Sequence, residues 1–220
     1  MALLNYQPPM TPYLRILYQD AQMLILDKPS GLLSVPGKAL EHKDCLELRV
    51  RRVYPDARIV HRLDMATSGV MVMAMNPDSH RQLSRQFELR QTSKRYLARI
   101  WGNPEADAGA VELPLICDWP NRPKQMVHLP RGKKALTHWR VLKRDSDHCL
   151  VELEPVTGRS HQLRVHMLSI GHPILGDRLY AHPDALAMAP RLQLHACYLG
   201  LSHPVSGEFM DFASRPDFAP

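Results

Sequence analysis

The chain has 220 residues, long enough for one domain with a sizeable core and short for two enzyme domains. Its content of 45% hydrophobic and 23% charged residues is that of an ordinary globular protein, and no apolar run approaches the ~20 residues that span a membrane. A formal net charge of +6 favours an anionic partner, of which nucleic acid is the commonest, although many basic proteins are merely basic.

The N-terminal stretch "MALLNYQPPMTPYL" lacks a basic n-region and is interrupted by prolines. It reads as a Pro-rich arm over residues 1–14, not as a signal peptide, and a soluble, cytoplasmic protein is expected. Next comes "RILYQDAQMLILDKPSG", two β-type runs around Gln19-Asp20-Ala21-Gln22, which predicts a hairpin. Lys28-Pro29-Ser30-Gly31 ends the second run in a turn. A helix is expected from Asp44, as N-cap, to about Val53, with Leu46, Val50 and Val53 on one face. "ARIV" and "GVMVMAM" read as strands on either side of "HRLDMATSG". A second helix should start at Pro77 and run to about Arg90, with Leu83 and Phe87 apolar and His80, Arg81, Arg85 and Arg90 basic.

The remainder is mostly strand: "RYLARIW", "AVELPLI", "LTHWRVL" and "CLVELEPV". "TGRSHQLRVHMLSIGHP" turns at Gly158, and Ser160 is expected to cap a short helix that ends by Gly171. "LQLHACYLGLSHP" and "EFMDFAS" add late strands. Short helices on a mixed, largely antiparallel sheet define an α+β fold. Cys45, Cys117, Cys149 and Cys197 are widely spaced without a CxxC, and read as buried free thiols in a reducing compartment.

Each chemically rich segment has a plain structural reading beside a functional one. His61-Arg62-Leu63-Asp64 is either an ion pair and turn cap, or an ionised carboxylate that serves as nucleophile or general base. No second acidic residue or histidine lies at metal-ligand spacing around it. Tyr96, in "KRYLARIW", is either a sheet tyrosine or a phenol that stacks on a base. In "GRSHQLRVH", Arg164 is either a solvated helix cation or a carboxylate partner. His161 and His166 are five residues apart and miss the i,i+4 spacing of helical metal ligands. "CDWPNRPKQ" puts Trp119, Asn121, Arg122 and Lys124 on a proline-stiffened loop, which is a surface loop or a device for single-stranded RNA.

Together, "DKPSGLLSVPG", "HRLDMATSGVMV", "KRYLARIWG" and "GRSHQLRVHMLSIGHPILGD" resemble, in order, the motifs of the RluA-type pseudouridine synthases. The likeness runs from about Leu17 to Leu201. It implies one synthase-type domain over residues 15–213, a tail over 214–220, no S4 domain and an active-site cleft across the sheet. It also implies isomerisation of uridine to its C-glycoside within RNA. Asp64 would be the essential carboxylate, with Arg164 pairing with it and holding it ionised. Tyr96 would stack on the uracil, Arg62 would help hold the nucleotide out of its stack, and Leu63 would shape the base pocket. Lys28, His61, Thr67, Arg122, Lys124, Arg159, His161, Gln162 and Leu163 are the further expected substrate contacts. Neither metal nor cofactor is implied.

The "DWPNRPKQ" loop and the short length look closest to family members that modify both tRNA and 23S rRNA. That points to stem-loops, including a tRNA anticodon loop, as substrates of a monomer with no membrane partner. The rival readings are an RNA-binding protein without catalysis, a synthase restricted to one RNA, and a deaminase or nucleoside hydrolase. The HxE and PCxxC pattern of zinc deaminases does not occur.

Overall fold

In the computed structural model, which describes residues 6–219, the first hairpin turns on one side chain. The Asp20 carboxylate accepts from the amides of Gln22 and Met23, both at 2.7 Å. This Asx turn joins β1 (Ile16–Gln19) to β2 (Met23–Lys28), as expected. The helix that follows is shorter than expected. α1 covers Leu46–Arg51, and Asp44 does not cap it. The Asp44 carboxylate is instead gripped by the buried Arg49 guanidinium, at 2.7 and 2.6 Å. Arg49 also donates to the carbonyls of Pro9 and Tyr13, which ties down the described part of the proline-rich arm. The need of a buried cation for a counter-charge outweighs the capping preference of Asp44. Residues 1–5 of the arm and Pro220 of the tail lie outside the described residues.

β3 (Arg58–Ile59) and β4 (Ser68–Ala74) flank the "HRLD" segment and pair antiparallel. β2 and β4 are buried at every residue, which is why both read as continuous apolar runs without alternation. α2 (Pro77–Glu88) starts with Pro77 after Asn76, whose side chain caps the Ser79 amide at 2.9 Å. Its Leu83 and Phe87 pack with Met23, Ile25, Val70 and Val72.

β5 (Ser93–Trp101), β6 (Ala108–Glu112), β7 (Leu115–Cys117), β8 (Gln125–Val127), β9 (Leu136–Arg144) and β10 (His148–Pro155) follow. "AVELPLI" is therefore two strands, broken at Pro114, which has no amide hydrogen for a ladder. β5, β10, β9 and β6 form one antiparallel series, and β7 and β8 form a separate hairpin around the "WPNRPK" segment. α3 (Gln162–Ser169) and α4 (Pro183–Ala187) come next, then β11 (Leu194–Ser202) and β12 (Phe209–Ala213), which pair antiparallel. α4 and β8 are elements that the sequence reading did not anticipate.

By contacts the chain divides into two units. One holds the described residues up to Lys94 together with Ala196–Pro216; the other holds Arg95–His195 with the residues from Asp217. Cys45 and Cys149 are buried free thiols, and burial pushes the Cys149 thiol up to about 11; Cys117 and Cys197 are partly buried. No helix among the described residues is long and apolar enough to cross a membrane.

Candidate active site

In the first unit, the loop after β3 carries Asp64 and is held from behind by the loop after β2. The Thr67 amide donates to the Asp64 carbonyl at 3.1 Å, which closes a turn directly after the carboxylate. The Ser34 hydroxyl donates to the Leu63 carbonyl at 2.7 Å and accepts from the Leu63 amide at 3.2 Å. The Gly31 amide and the Lys28 ammonium both donate to the Met65 carbonyl, and the Ser30 hydroxyl donates to the Ala66 carbonyl at 2.7 Å. The "DKPSGLLS" segment thus fixes the backbone on both sides of Asp64. Gly31 meets the turn with φ +88°, a conformation that other residues rarely adopt. Gly69 closes the segment with φ +116°, where a Cβ would sit 2.2 Å from the Ala196 carbonyl oxygen.

Lys28 has no exposed surface, and its ammonium donates to the carbonyls of Pro29, Leu32 and Met65. Burial lowers it to about 7, against the opposing pull of the Asp64 and Asp27 charges. The expected RNA contact at Lys28 is therefore corrected: its hydrogens are engaged inside the fold, and it supports the Asp64 turn. His61 is corrected likewise. Its Nε2 accepts from the Val72 amide at 3.1 Å and its ring stacks on Phe87. Burial, with the nearby Lys94 charge, drives it down to about 3, so the imidazole is neutral. Thr67 and Leu63 are buried as well, and from His61 to Thr67 only Arg62 is exposed.

In the second unit, Tyr96 lies on β5 opposite Leu153 of β10 and is partly buried. α3 begins differently from expectation. His161 is its N-cap with φ +54°, and Ser160 makes no cap. The side chain of Gln162 does the stitching: it accepts from the Arg159 amide and the Thr157 hydroxyl, and donates to the Leu136 carbonyl and the Thr137 hydroxyl. Where an RNA contact was expected, this side chain is 4% exposed with both ends engaged inside the fold; Leu163 beside it is also buried. Arg159 is partly buried, and its Nε donates to the Lys134 carbonyl. His166 is buried between Thr137 and the Leu113 carbonyl, and burial pushes it down, in keeping with a hydrogen-bonding role.

Arg164 is 5% exposed and forms a bidentate pair with Asp177, itself 1% exposed, at 2.8 and 2.7 Å. Its guanidinium lies over the Tyr180 ring, 5.0 Å from the centroid. The sequence reading assigned no role to Asp177 or Tyr180. The available signal was the "LGD" of the quoted motif: Gly176 has φ +69°, and a Cβ there would meet the Arg191 carbonyl oxygen at 2.1 Å. Only glycine fits that approach, and the next residue is the buried carboxylate. At the β7–β8 hairpin, Trp119 is 65% exposed with the exposed Arg122 stacked on it at 4.6 Å, and Lys124 is partly buried.

The first unit thus presents a carboxylate on a backbone fixed by hydrogen bonds, and the second an arginine oriented by a buried acid. The comparisons identify the class of protein. The profile of the RNA pseudouridylate synthase family matches residues 22–169. The protein belongs to this family and is an RNA pseudouridine synthase, an isomerase. The match crosses the boundary at Lys94, so both units are parts of one family domain with the expected α+β fold.

Among its relatives, the chain is 56% identical over 99% of its length to the dual-specificity RNA pseudouridine synthase RluA of Escherichia coli (strain K12), covering 100% of that protein. It is 51% identical, with the same coverage, to the protein of that description from Haemophilus influenzae. Of solved structures, human RNA pseudouridylate synthase domain containing 1 superposes with TM-score 0.80 at 28% identity, covering 97% of this chain and 88% of that one.

Proposed function

We propose that this synthase acts on uridines in two kinds of RNA, a tRNA anticodon stem-loop and a stem-loop of 23S rRNA, as a cytoplasmic monomer. The supporting observation is the full-length identity of 56% to a dual-specificity enzyme, with the "WPNRPK" hairpin and the net charge of +6 beside it. In the reaction the N1–C1′ bond breaks, the base turns, C5 joins C1′, the C5 hydrogen leaves as a proton and N1 gains one. No water is consumed, so one carboxylate suffices where a glycosidase uses a pair.

Asp64 is that carboxylate in this reading, either attacking C1′ or removing a sugar proton. Tyr96 stacks on the uracil, and Arg164 keeps the carboxylate charged and oriented. The exposed Arg62 holds the nucleotide out of its stack, at a cost of a few kcal/mol that is least in a loop. The fixed backbone on either side of Asp64 supports this, because a nucleophile or base gains most from a preset geometry.

The test is tritium release from C5-labelled uridine in both stem-loops. Wild type releases tritium from each. Asp64→Asn releases none, while its RNA affinity stays within about tenfold, or 1.4 kcal/mol. Release by the variant refutes the Asp64 assignment, and action on only one RNA refutes the dual specificity.

A further inference from the structure

The hydroxyl of Tyr180 joins two elements of the second unit, and its ring carries a third group. The Gln125 amide, at the start of β8, donates to the hydroxyl at 2.7 Å. Nδ1 of His161, the left-handed residue that opens α3, lies 2.7 Å from the same oxygen. The ring packs against the cluster of Leu115 of β7, Val165 of α3 and Ala135, and its face supports the Arg164 guanidinium. Asp177, three positions earlier, holds the edge of that guanidinium. Packing alone would ask of a partly buried tyrosine only one partner for its hydroxyl. Here the hydroxyl bridges the loop end of a hairpin, where Gln125 pairs with Cys117, and the start of the arginine-bearing helix.

The loop at this same end of the hairpin carries Trp119 and Arg122, both exposed and stacked on one another. An exposed ring with a cation on it suits an unpaired base and its phosphate. We propose that Tyr180 is a positioning residue that couples the hairpin tip to Arg164, so that a loop nucleotide seated on Trp119 steadies the guanidinium at the reacting uridine. This rests on the catalytic role proposed for Arg164 and on the hairpin as an RNA contact. Asp177 sets the rotation of the guanidinium in its plane, and the Tyr180 ring sets the plane itself. Loss of the hydroxyl leaves the ring and the apolar packing in place but removes the polar link between the hairpin loop and the start of α3.

A double-mutant cycle on single-turnover rate at saturating RNA, using one short stem-loop, tests the coupling. Tyr180→Phe lowers that rate about tenfold and leaves RNA affinity essentially unchanged. Trp119→Ala weakens binding and lowers the saturating rate in the parent protein; in the Tyr180→Phe background it weakens binding only. His161→Ala, which removes the bridge from the α3 side, gives the same non-additivity. Rate effects that simply multiply, or a Tyr180→Phe protein at full rate, overturn the coupling. Arg164→Lys separates the two levels. If it is slow while Tyr180→Phe is fully active, only the coupling fails; if it too keeps full rate, the underlying reading of Arg164 fails.

Discussion

Lys28 shows how a residue chosen for its charge can work through its hydrogens. Its ammonium is wholly buried, and three carbonyls, one of them next to Asp64, satisfy it. Below about pH 7 it is charged in both the folded and unfolded chain, and the full cost of burying the charge is present. Between about 7 and its ordinary value of 10.5, the unfolded chain binds a proton that the folded chain lacks. Stability from this group therefore rises with pH across that window. Lys28→Met removes the titration. Urea unfolding of parent and variant from pH 6 to 10 is expected to show their difference moving in the parent's favour above about pH 7. A pH-independent difference would sink the assignment of a buried, depressed lysine. The same residue shows why the sequence misled here: "DKPSG" displays a lysine in a turn, and nothing local states that the turn folds inward.

Among the elements, α3 departs most from its sequence reading while keeping its place. Gly158 and the apolar residues that follow announce a short helix, and one forms. Ser160 has the right chemistry for a cap, whereas Gln162 satisfies the loop from inside by bonding also to Leu136 and Thr137 of β9. Such partners are distant in sequence. Arg164, on this helix, has its buried counter-charge on a different segment. Arg164→Met is therefore a stability variant as well as an activity variant. Leaving Asp177 unpaired costs about 3–5 kcal/mol. Arg164→Met/Asp177→Asn is expected to regain most of that stability in urea unfolding while its single-turnover rate stays low. Recovery of rate together with stability would mean that Arg164 serves the fold alone. Gly69 makes a similar point for β4, since its need for glycine comes from the backbone of Ala196.

For the whole molecule, the governing quantity is the net charge of +6 against a polyanion. Binding to a loop RNA is expected to weaken with salt by about 0.7 log units, per log unit of salt, for each phosphate neutralised. Arg122→Ala/Lys124→Ala is expected to reduce that slope by up to about 1.4 if both side chains meet phosphates. Titration of RNA binding over a range of potassium chloride concentrations measures it. An unchanged slope would remove the hairpin from the electrostatic footprint. The stacking of Arg122 on Trp119 leaves that cation at the surface, where salt screens it most.

The family, the α+β class, the strands on either side of "HRLD" and the helix of Arg164 were all legible from residue order. These features rest on local periodicity, on turn residues and on motifs whose spacing is itself sequence. What only the tertiary structure decided is which polar side chains face inward. Lys28, His61 and Gln162 read as candidate RNA contacts because they sit in the motifs, yet their side chains bond within the fold, and Thr67 beside them is buried. Asp177 was marked only by the glycine before it, and the part of Tyr180 emerged only when folding brought it against Arg164. The reason is physical. A buried polar group must find its partner wherever the chain returns to it, and that return is fixed by packing over long separations, not by neighbours in sequence.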